Sequence, residues 1–261
     1  MATRAGLRSG PSIAASTAIA VNGISKAFRI PHERRDTARE HFLHPTKRTT
    51  YEENTVLRDV SFAIKKAERF GLVGRNGSGK TTLLKVIAGI YRADAGKVIV
   101  NGMLSPFIEL GVGFNMELSA RDNVIINGTL LGMSRRDLDE RFDEIIAFAE
   151  LERFVDQRLK NYSSGMQVRL AYSVAIQVPF DILLVDEVLA VGDAKFQQKC
   201  ARTFDEFQAA GKTLLLVSHS PTAIRDYCDR AILLEDGAVV SIGPAAEVVD
   251  LYYEREGISQ I

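Results

Sequence analysis

The sequence predicts an α/β protein with a mostly parallel central sheet. Short apolar runs alternate with longer segments of helical periodicity along most of the 261 residues, the order expected of alternating strands and helices. Two of the short runs, DILLVDE and TLLLVSH, are continuously apolar, which is typical of strands buried on both faces of a sheet. A glycine-rich turn also joins a short apolar run to a helical segment that begins at Lys80.

The individual elements are predicted from these patterns in chain order. Strands or strand-rich runs are predicted at Ala18–Phe28, Val60–Ile64, Arg69–Val73, Lys97–Val100, 181–187, 213–219 and 230–243. Helices are predicted from Lys80 onward and at Ala120–Gly132, Arg135–Leu151, Gly165–Val178, Ala194–Ala210 and Pro244–Glu254, the last with proline in its first turn. Ser134 is the expected N-cap of the helix that follows it.

Three parts of the chain depart from the alternating pattern. Residues 1–17 contain no apolar core of signal-peptide length and are predicted to be a flexible tail. Residues 31–54 form a polar insertion of mixed charge, in which Asp36–His44 has the composition of one short helix. A helical subdomain is predicted at about residues 115–178, between two strand-rich halves.

Charge and cysteine content argue against several classes of protein. The 33 basic and 33 acidic residues balance, so no overall field favours a nucleic-acid partner. Cys200 and Cys228 are the two cysteines, and the expectation is two buried reduced thiols rather than a disulfide framework or a zinc site. Asp181 and Asp186 interrupt the most apolar stretch, so no run reaches the roughly 18 residues of a membrane span. A role at a membrane would require another chain to cross the bilayer.

The segment GRNGSGKT matches the phosphate-binding pattern GxxxxGK[ST] between a predicted strand and a predicted helix. Glycines let the backbone wrap a phosphate and turn N–H groups toward it, at the positive end of the following helix. In this pattern Lys80 contacts the β- and γ-phosphates and Thr81 reaches Mg²⁺. The predicted ATP-binding residues of this segment are Gly74, Arg75, Asn76, Gly77, Ser78, Gly79, Lys80, Thr81 and Thr82.

Two adjacent carboxylates end the apolar run that starts at Asp181. Asp186 is predicted to belong to the Mg²⁺ shell and Glu187 to activate the water that attacks the γ-phosphate. A pair of solvated acids at a strand end is the alternative. A base aimed at water needs no second substrate pocket, so the pair favours hydrolysis over phosphoryl transfer to another substrate.

A serine- and glycine-rich segment, YSSGMQ, lies one helix before this strand. Ser163, Ser164 and Gly165 would begin a helix whose N-terminus attracts anions, although an ordinary helix cap has the same composition. With the two motifs above, the segment resembles the LSGGQ signature of ABC ATPases, from which Ser164 and Met166 depart. The resemblance covers nearly all of residues 18–261. It implies an ABC-type P-loop ATPase with a mostly parallel core sheet, an antiparallel β subdomain and a helical subdomain.

The resemblance also assigns roles to residues elsewhere in the chain. AVGD, ending at Asp193, is similar to the D-loop, and this residue is expected at the ATP site. His219 is similar to the switch histidine and is expected to be catalytic with Glu187 and Lys80. Phe28 occupies the place where the family stacks an aromatic ring on adenine, and packing in the core is the alternative.

One family element is missing. ABC ATPases carry a glutamine that touches Mg²⁺ between the P-loop and the helical block, but the segment Phe107–Phe114 contains none. Glu109 is the nearest polar residue, so it or water is expected to replace the glutamine.

Three of these departures resemble one subgroup, the ATPase subunits that export O-antigen, teichoic acid, capsule or galactan. They are the YSSGMQ signature, the glycine-rich segment from Ile108 and the long insertion after Phe28. In that subgroup the insertion and the glycine-rich segment face the membrane partner, whereas a solvated surface loop is the alternative for residues 31–54. Soon after Tyr253 the sequence ends, so no carbohydrate-binding domain of the kind found in some exporters is expected.

The resemblance implies a head-to-tail homodimer in which each Mg²⁺-bound ATP lies between the P-loop of one chain and the signature of the other. Two transmembrane permease subunits would dock near Leu110–Gly113 and the following helix, and would hold the chain at the cytoplasmic face of the plasma membrane. An importer or another exporter is the main alternative, because its ATPase chemistry would be the same. Soluble ABC ATPases and P-loop kinases fit less well, since the former carry coiled coils or two ATPase units and the latter lack a signature.

Overall fold

A computed structural model describes residues 15–31, 51–107, 113–186, 193–218 and 220–258 of the chain. Its strands, numbered in chain order, are β1 Thr17–Pro31, β2 Tyr51–Lys65, β3 Arg69–Val73, β4 Ala95–Val100, β5 Leu104–Phe107, β6 Ile182–Asp186, β7 Thr213–Val217, β8 Arg230–Glu235 and β9 Ala238–Pro244. Its helices are α1 Lys80–Ile87, α2 Ala120–Leu130, α3 Arg135–Ala149, α4 Ser164–Gln177, α5 Ala194–Ala209, α6 Pro221–Tyr227 and α7 Ala245–Glu256.

The central sheet has six strands in the order β5-β6-β7-β3-β8-β9. Neighbours from β5 to β8 pair in parallel, and β9 returns antiparallel to β8. Strands β6, β7 and β8 are apolar on both faces because one large cluster of buried side chains lies on each side of the sheet. The carboxyl ends of β3 and β6 lie on the same edge, which is where ligands bind in parallel α/β sheets.

A second, antiparallel sheet has the order β2-β1-β4. Irregularities in the pairing of β1 with β2 occur between residues 17 and 27, where several register shifts interrupt the ladder. Beyond them the two strands pair regularly from Ala27 opposite Thr55 to Pro31 opposite Tyr51. This sheet covers one face of the central sheet, since Ile19, Ile24 and Leu57 belong to the same buried cluster as β3 and α1.

Helices α2, α3 and α4 pack on each other around a third apolar cluster. The first two begin with capping boxes, in which Ser119 and Ser134 each accept from the backbone three residues on and an aspartate side chain accepts in return. The expected N-cap at Ser134 is therefore confirmed.

Most predicted elements are present, with the following differences. Strand β5 is not predicted by the sequence, because Pro106 lies within it and proline is disfavoured in strands, and it is held by parallel pairing with β6. The run 230–243 forms two strands joined at Asp236–Gly237. Pro244 is the N-cap of α7 rather than part of its first turn.

Both ends of the predicted insertion lie in strands β1 and β2, and its residues 32–50, with the possible helix Asp36–His44, lie outside the described residues. The tail and subdomain boundaries stay predictions.

Both cysteines are free thiols and buried, as expected. Cys200 lies in α5 and Cys228 follows α6. Burial raises the pKa of Cys200 to about 11 and that of Cys228 to about 12, so both thiols are protonated at neutral pH.

The tight packing of α2 on α3 provides a stability test. A β-carbon at Gly128 would lie 2.3 Å from Cδ2 of Leu138. We expect Gly128→Ala to lower the free energy of unfolding by about 1–3 kcal/mol, measured by urea denaturation. Gly165→Ala is the matched control, because a β-carbon at this second helical glycine meets nothing closer than 3.9 Å. An equal loss in both variants would contradict the packing argument.

Candidate functional site

The P-loop, residues Gly74–Thr81, connects the end of β3 to the start of α1. Gly74, Gly77 and Gly79 have φ angles of 157°, 83° and 103°, in the region that side chains disfavour. No side chain caps α1, and Gly79 stands at its N-cap position in the left-handed conformation. The N–H groups of the first turn of α1 are therefore available to an anion, as a phosphate-binding loop requires.

Backbone atoms of neighbouring strands lie very close to the outer side of this loop. A β-carbon at Gly74 would lie 2.2 Å from the Leu234 carbonyl oxygen, and one at Gly79 would lie 2.9 Å from the Val56 carbonyl oxygen. The amide of Gly237 donates to the Ser78 carbonyl oxygen at 3.1 Å. Glycine is required at these two loop positions by contact with β2 and β8, as well as by backbone conformation.

The ammonium group of Lys80 is folded into the loop. It donates to the carbonyl oxygens of Gly74 at 2.6 Å and Arg75 at 2.8 Å, and the residue is buried. Burial lowers the pKa of Lys80, while the negative charge of Asp186 acts in the opposite direction. The cation is thus held at the centre of the loop by groups that a phosphate could replace.

Asp186 ends β6 next to the P-loop, near enough to the Thr81 hydroxyl for that group to favour the charged carboxylate. Burial raises the pKa of Asp186, and Lys80 and the Thr81 hydroxyl oppose the rise. Mg²⁺ takes oxygen ligands, usually one or two carboxylates together with phosphate oxygens and water. The adjacent hydroxyl and carboxylate of Thr81 and Asp186 fit that set of donors.

A cleft of about 600 Å³ lies along the outer side of the P-loop. It is bounded by the turn between β8 and β9 and by the end of α7. There the guanidinium of Arg255 forms a bidentate ion pair with the carboxylate of Glu235. Glu256 forms an ion pair with Arg75 at 3.3 Å. Asn76 and Ser78 also line this cleft. Phe28, the predicted partner of adenine, and Asp186, the predicted Mg²⁺ ligand, do not line it, so the cleft is distinct from the predicted adenine and metal positions.

The signature segment opens helix α4. Ser163 is the N-cap, and its hydroxyl accepts from the Met166 amide at 3.2 Å. Ser164 is the first helical residue, and Gly165 follows it with open space where a side chain would lie. Within the described chain nothing sterically requires glycine at position 165, unlike positions 74 and 79 of the P-loop.

Asp193 is the N-cap of α5. Its carboxylate accepts from the Phe196 amide at 2.9 Å and from the guanidinium of Arg169 in α4. The hydrogen bond from Phe196, followed by Arg169, holds the pKa of Asp193 below its usual range. The side chain thus joins the signature helix to the helix after the D-loop within one chain, and its contact with ATP stays a prediction.

Phe28 is half-buried on β1, outside the main apolar clusters of the described residues. Its ring meets that of Tyr91 edge-on, with centroids 5.6 Å apart, and the Lys26 ammonium lies 5.3 Å from its centroid. Its partial exposure leaves it accessible to a planar base. Three other predicted residues, Glu187, His219 and Glu109, lie outside the described residues, and so does most of the predicted permease-docking segment.

Sequence reasoning missed the supports of the P-loop. The DG turn at Asp236–Gly237 is a recognisable hairpin signal, but nothing local indicates that it docks on Ser78. The ion pairs from α7 and the contact of Arg169 with Asp193 link residues distant in sequence. No spacing rule reveals such contacts.

Known proteins with similar sequences and folds identify the family of this chain. The family model described as ABC transporter matches residues 57–190. A Klebsiella pneumoniae protein named O-antigen export system ATP-binding protein RfbB is 43% identical over 75% of this chain and 80% of its own length. A Listeria innocua protein named teichoic acids export ATP-binding protein TagH is 36% identical over 90% of this chain and 70% of its own length.

A solved dimeric ATP-binding cassette, in a post-hydrolysis state bound to ADP and Pi, has the same fold. It superposes with a TM-score of 0.69 at 22% identity, over 87% of this chain and 98% of its own. The chain therefore belongs to the ABC transporter family, and it is an ATPase of that family. None of the helices that the structure describes is both long and apolar enough to cross a membrane.

Replacement of Lys80 tests the P-loop assignment. We expect Lys80→Ala to weaken binding of MgATP at least about tenfold, because a charge-assisted contact to the phosphates is lost. Isothermal titration calorimetry measures the change. Lys160→Ala is the control, since that ammonium bonds Glu117 on the helical part of the molecule. Wild-type affinity in Lys80→Ala would show that this loop is not the triphosphate site.

Proposed function

We propose that this chain is the ATP-hydrolysing subunit of an exporter that moves lipid-linked polysaccharide across the cytoplasmic membrane. The observation that carries the ATPase chemistry is the P-loop with Lys80 at its centre and Asp186 beside Thr81. The polysaccharide class is supported by relatives named for O-antigen and teichoic acid export. These names favour export over import, and the signature, insertion and glycine-rich segment of this chain agree with them.

Different groups of the chain have separate roles at the phosphates. The N–H groups of Gly77–Thr82 bind phosphate oxygens, and the Lys80 ammonium exchanges its two carbonyl partners for the β- and γ-phosphates. Thr81 and Asp186 would hold Mg²⁺, which would neutralise phosphate charge when bound. Glu187 accepts the proton of the attacking water, and His219 contacts the γ-phosphate.

The second half of the site is proposed to come from another copy of the chain. A side chain at Gly165 would meet no close neighbour among the residues of its own chain that the structure describes. Gly165 lies in the first turn of α4, whose N-cap is Ser163 and whose first residue is Ser164. In a head-to-tail dimer this helix end faces the γ-phosphate held by the partner, where its positive end stabilises the anion. Hydrolysis removes that attraction and opens the dimer.

The motion is proposed to be transmitted to two transmembrane permease subunits. The relatives are named as ATP-binding proteins of export systems, which supports a separate membrane-spanning component. The chain would then lie at the cytoplasmic face of the membrane, with the helical part around α2 and the segment before it toward the permease.

Loss of the proposed base separates binding from hydrolysis. We expect Glu187→Gln to lower ATP turnover at least about a hundredfold, because general-base catalysis contributes this much. MgATP should still bind and should hold the chain as a dimer in size-exclusion chromatography. In cells of the source organism, the same substitution should leave lipid-linked polysaccharide inside and remove it from the surface.

Asp181 provides the control for this variant. It lies at the start of the same apolar run, and its side chain accepts a hydrogen bond from the Met103 amide, away from the P-loop. Asp181→Asn should therefore retain ATP turnover. Normal ATP hydrolysis by Glu187→Gln would reject the role of Glu187 as the general base. Normal surface polysaccharide with abolished hydrolysis would reject the substrate class and leave the ATPase assignment standing.

A mixing experiment tests the two-chain site. Lys80→Ala and Ser163→Arg should each be inactive alone, because each removes one half of every site. Mixed dimers keep one complete site, so an equal mixture should regain about a quarter of the wild-type number of sites. Turnover measured before and after mixing decides the question. No recovery, with mixed dimers demonstrated by differently tagged chains, would show that the two halves act within one chain.

A further inference from the structure

The ring of Phe28 is held by a second aromatic residue from another part of the chain. Tyr91 lies in the loop after α1, and the two ring planes meet at 72° with their centroids 5.6 Å apart. Aromatic rings prefer this edge-to-face arrangement because the positive edge of one meets the negative face of the other. The orientation of Phe28 is therefore set by a side chain 63 positions away in sequence.

The backbone beside Phe28 is fixed to the same loop. The carboxylate of Asp94 accepts from the Ala27 amide at 2.7 Å and from the Lys26 ammonium at 2.9 Å. Its own amide donates to the Ser25 carbonyl oxygen at 2.9 Å. The hydrogen bond from Ala27, followed by that from Lys26, holds the pKa of Asp94 below its usual range. The carboxylate stays ionised at neutral pH and secures β1 one residue before Phe28.

Tyr91 is in turn fixed to the helix that begins at the P-loop. The amides of Ile90 and Tyr91 both donate to the carbonyl oxygen of Lys85, at 2.9 and 3.1 Å. The Lys85 ammonium lies 5.7 Å from the centre of the Tyr91 ring, and the ring packs against the apolar cluster under α1. Helix α1 therefore carries Lys80 and Thr81 at its start and positions Tyr91 after its end.

We propose that Tyr91 is a positioning residue that holds Phe28 in the orientation needed to stack on the base of ATP. This inference rests on the proposed function, in which Phe28 contacts the base. Stacking requires the plane of the Phe28 ring to be parallel to the plane of the base. A ring that rotates freely about its χ angles spends less time in that orientation and loses rotamer entropy when the base binds. The edge contact from Tyr91 removes that freedom before the nucleotide arrives.

The test separates the base from the phosphates by using two probes, MgATP and inorganic triphosphate with Mg²⁺. Tyr91→Ala should weaken MgATP binding about two- to tenfold, the range expected for the loss of one aromatic pair. Binding of inorganic triphosphate should not change, because that probe has no base. Tyr91→Phe keeps the ring and should restore the affinity for MgATP.

A double substitution shows whether Tyr91 acts through Phe28. Phe28→Ala should weaken MgATP binding, and adding Tyr91→Ala to it should cause no further loss, because the ring that Tyr91 positions is already absent. Tyr253→Ala is the matched control. That tyrosine is also half-buried but lies on α7, near Thr222, and its loss should leave both probes unaffected.

The outcomes distinguish this inference from the function on which it rests. Wild-type MgATP affinity in Phe28→Ala would overturn the base contact itself. A loss in Phe28→Ala with none in Tyr91→Ala would overturn the positioning role alone. Equal weakening of MgATP and inorganic triphosphate by Tyr91→Ala would show that the ring supports α1 and the P-loop generally, which also overturns the proposal. Additive losses in the double variant would place Tyr91 in independent contact with the nucleotide.

Discussion

Close approach of backbone from β2 and β8 to the P-loop is the constraint on which the rest of the site depends. A loop that turns its N–H groups inward around a phosphate must be supported from outside, and side chains would hold it at too great a distance. Here the carbonyl oxygens of Val56 and Leu234 lie only 2.9 and 2.2 Å from the points where β-carbons of Gly79 and Gly74 would stand. The amide of Gly237 bonds directly to Ser78. The glycines therefore serve the folded protein as well as the ligand, because they permit contact on both sides of one thin loop.

The charges at this loop illustrate how a phosphate site is prepared. Burial disfavours the charged forms of the buried Lys80 ammonium and the half-buried Asp186 carboxylate, and their mutual attraction favours both charges. Carbonyl oxygens satisfy the ammonium in the structure described. In the proposed complex, a triphosphate with Mg²⁺ would supply stronger partners for both groups. Binding would then exchange partners at fixed positions, which costs little reorganisation.

Helix α1 connects the two ends of the proposed nucleotide site, and α4 begins the part proposed to serve the other copy. Phosphate-binding groups open α1, and the loop after it holds Tyr91 against Phe28. Arg169 of α4 bonds Asp193 at the start of α5, so an ion pair joins these two helices within one chain. In the proposed dimer, this contact would help to align the two helices when the copies close on the nucleotide.

The sequence by itself determined the α/β class and the family, and it predicted the P-loop and the acidic pair. Each rests on near neighbours in the chain, whose periodicity and spacing are fixed by the geometry of a strand, a turn or a helix end. The same reasoning failed at β5, which contains a proline and exists through pairing with β6. Only the tertiary structure decided that the β8–β9 turn supports Ser78, that α7 reaches Arg75, and that Tyr91 meets Phe28. These contacts join residues far apart in the chain, and the packing of whole strands and helices, rather than any local pattern, brings them together.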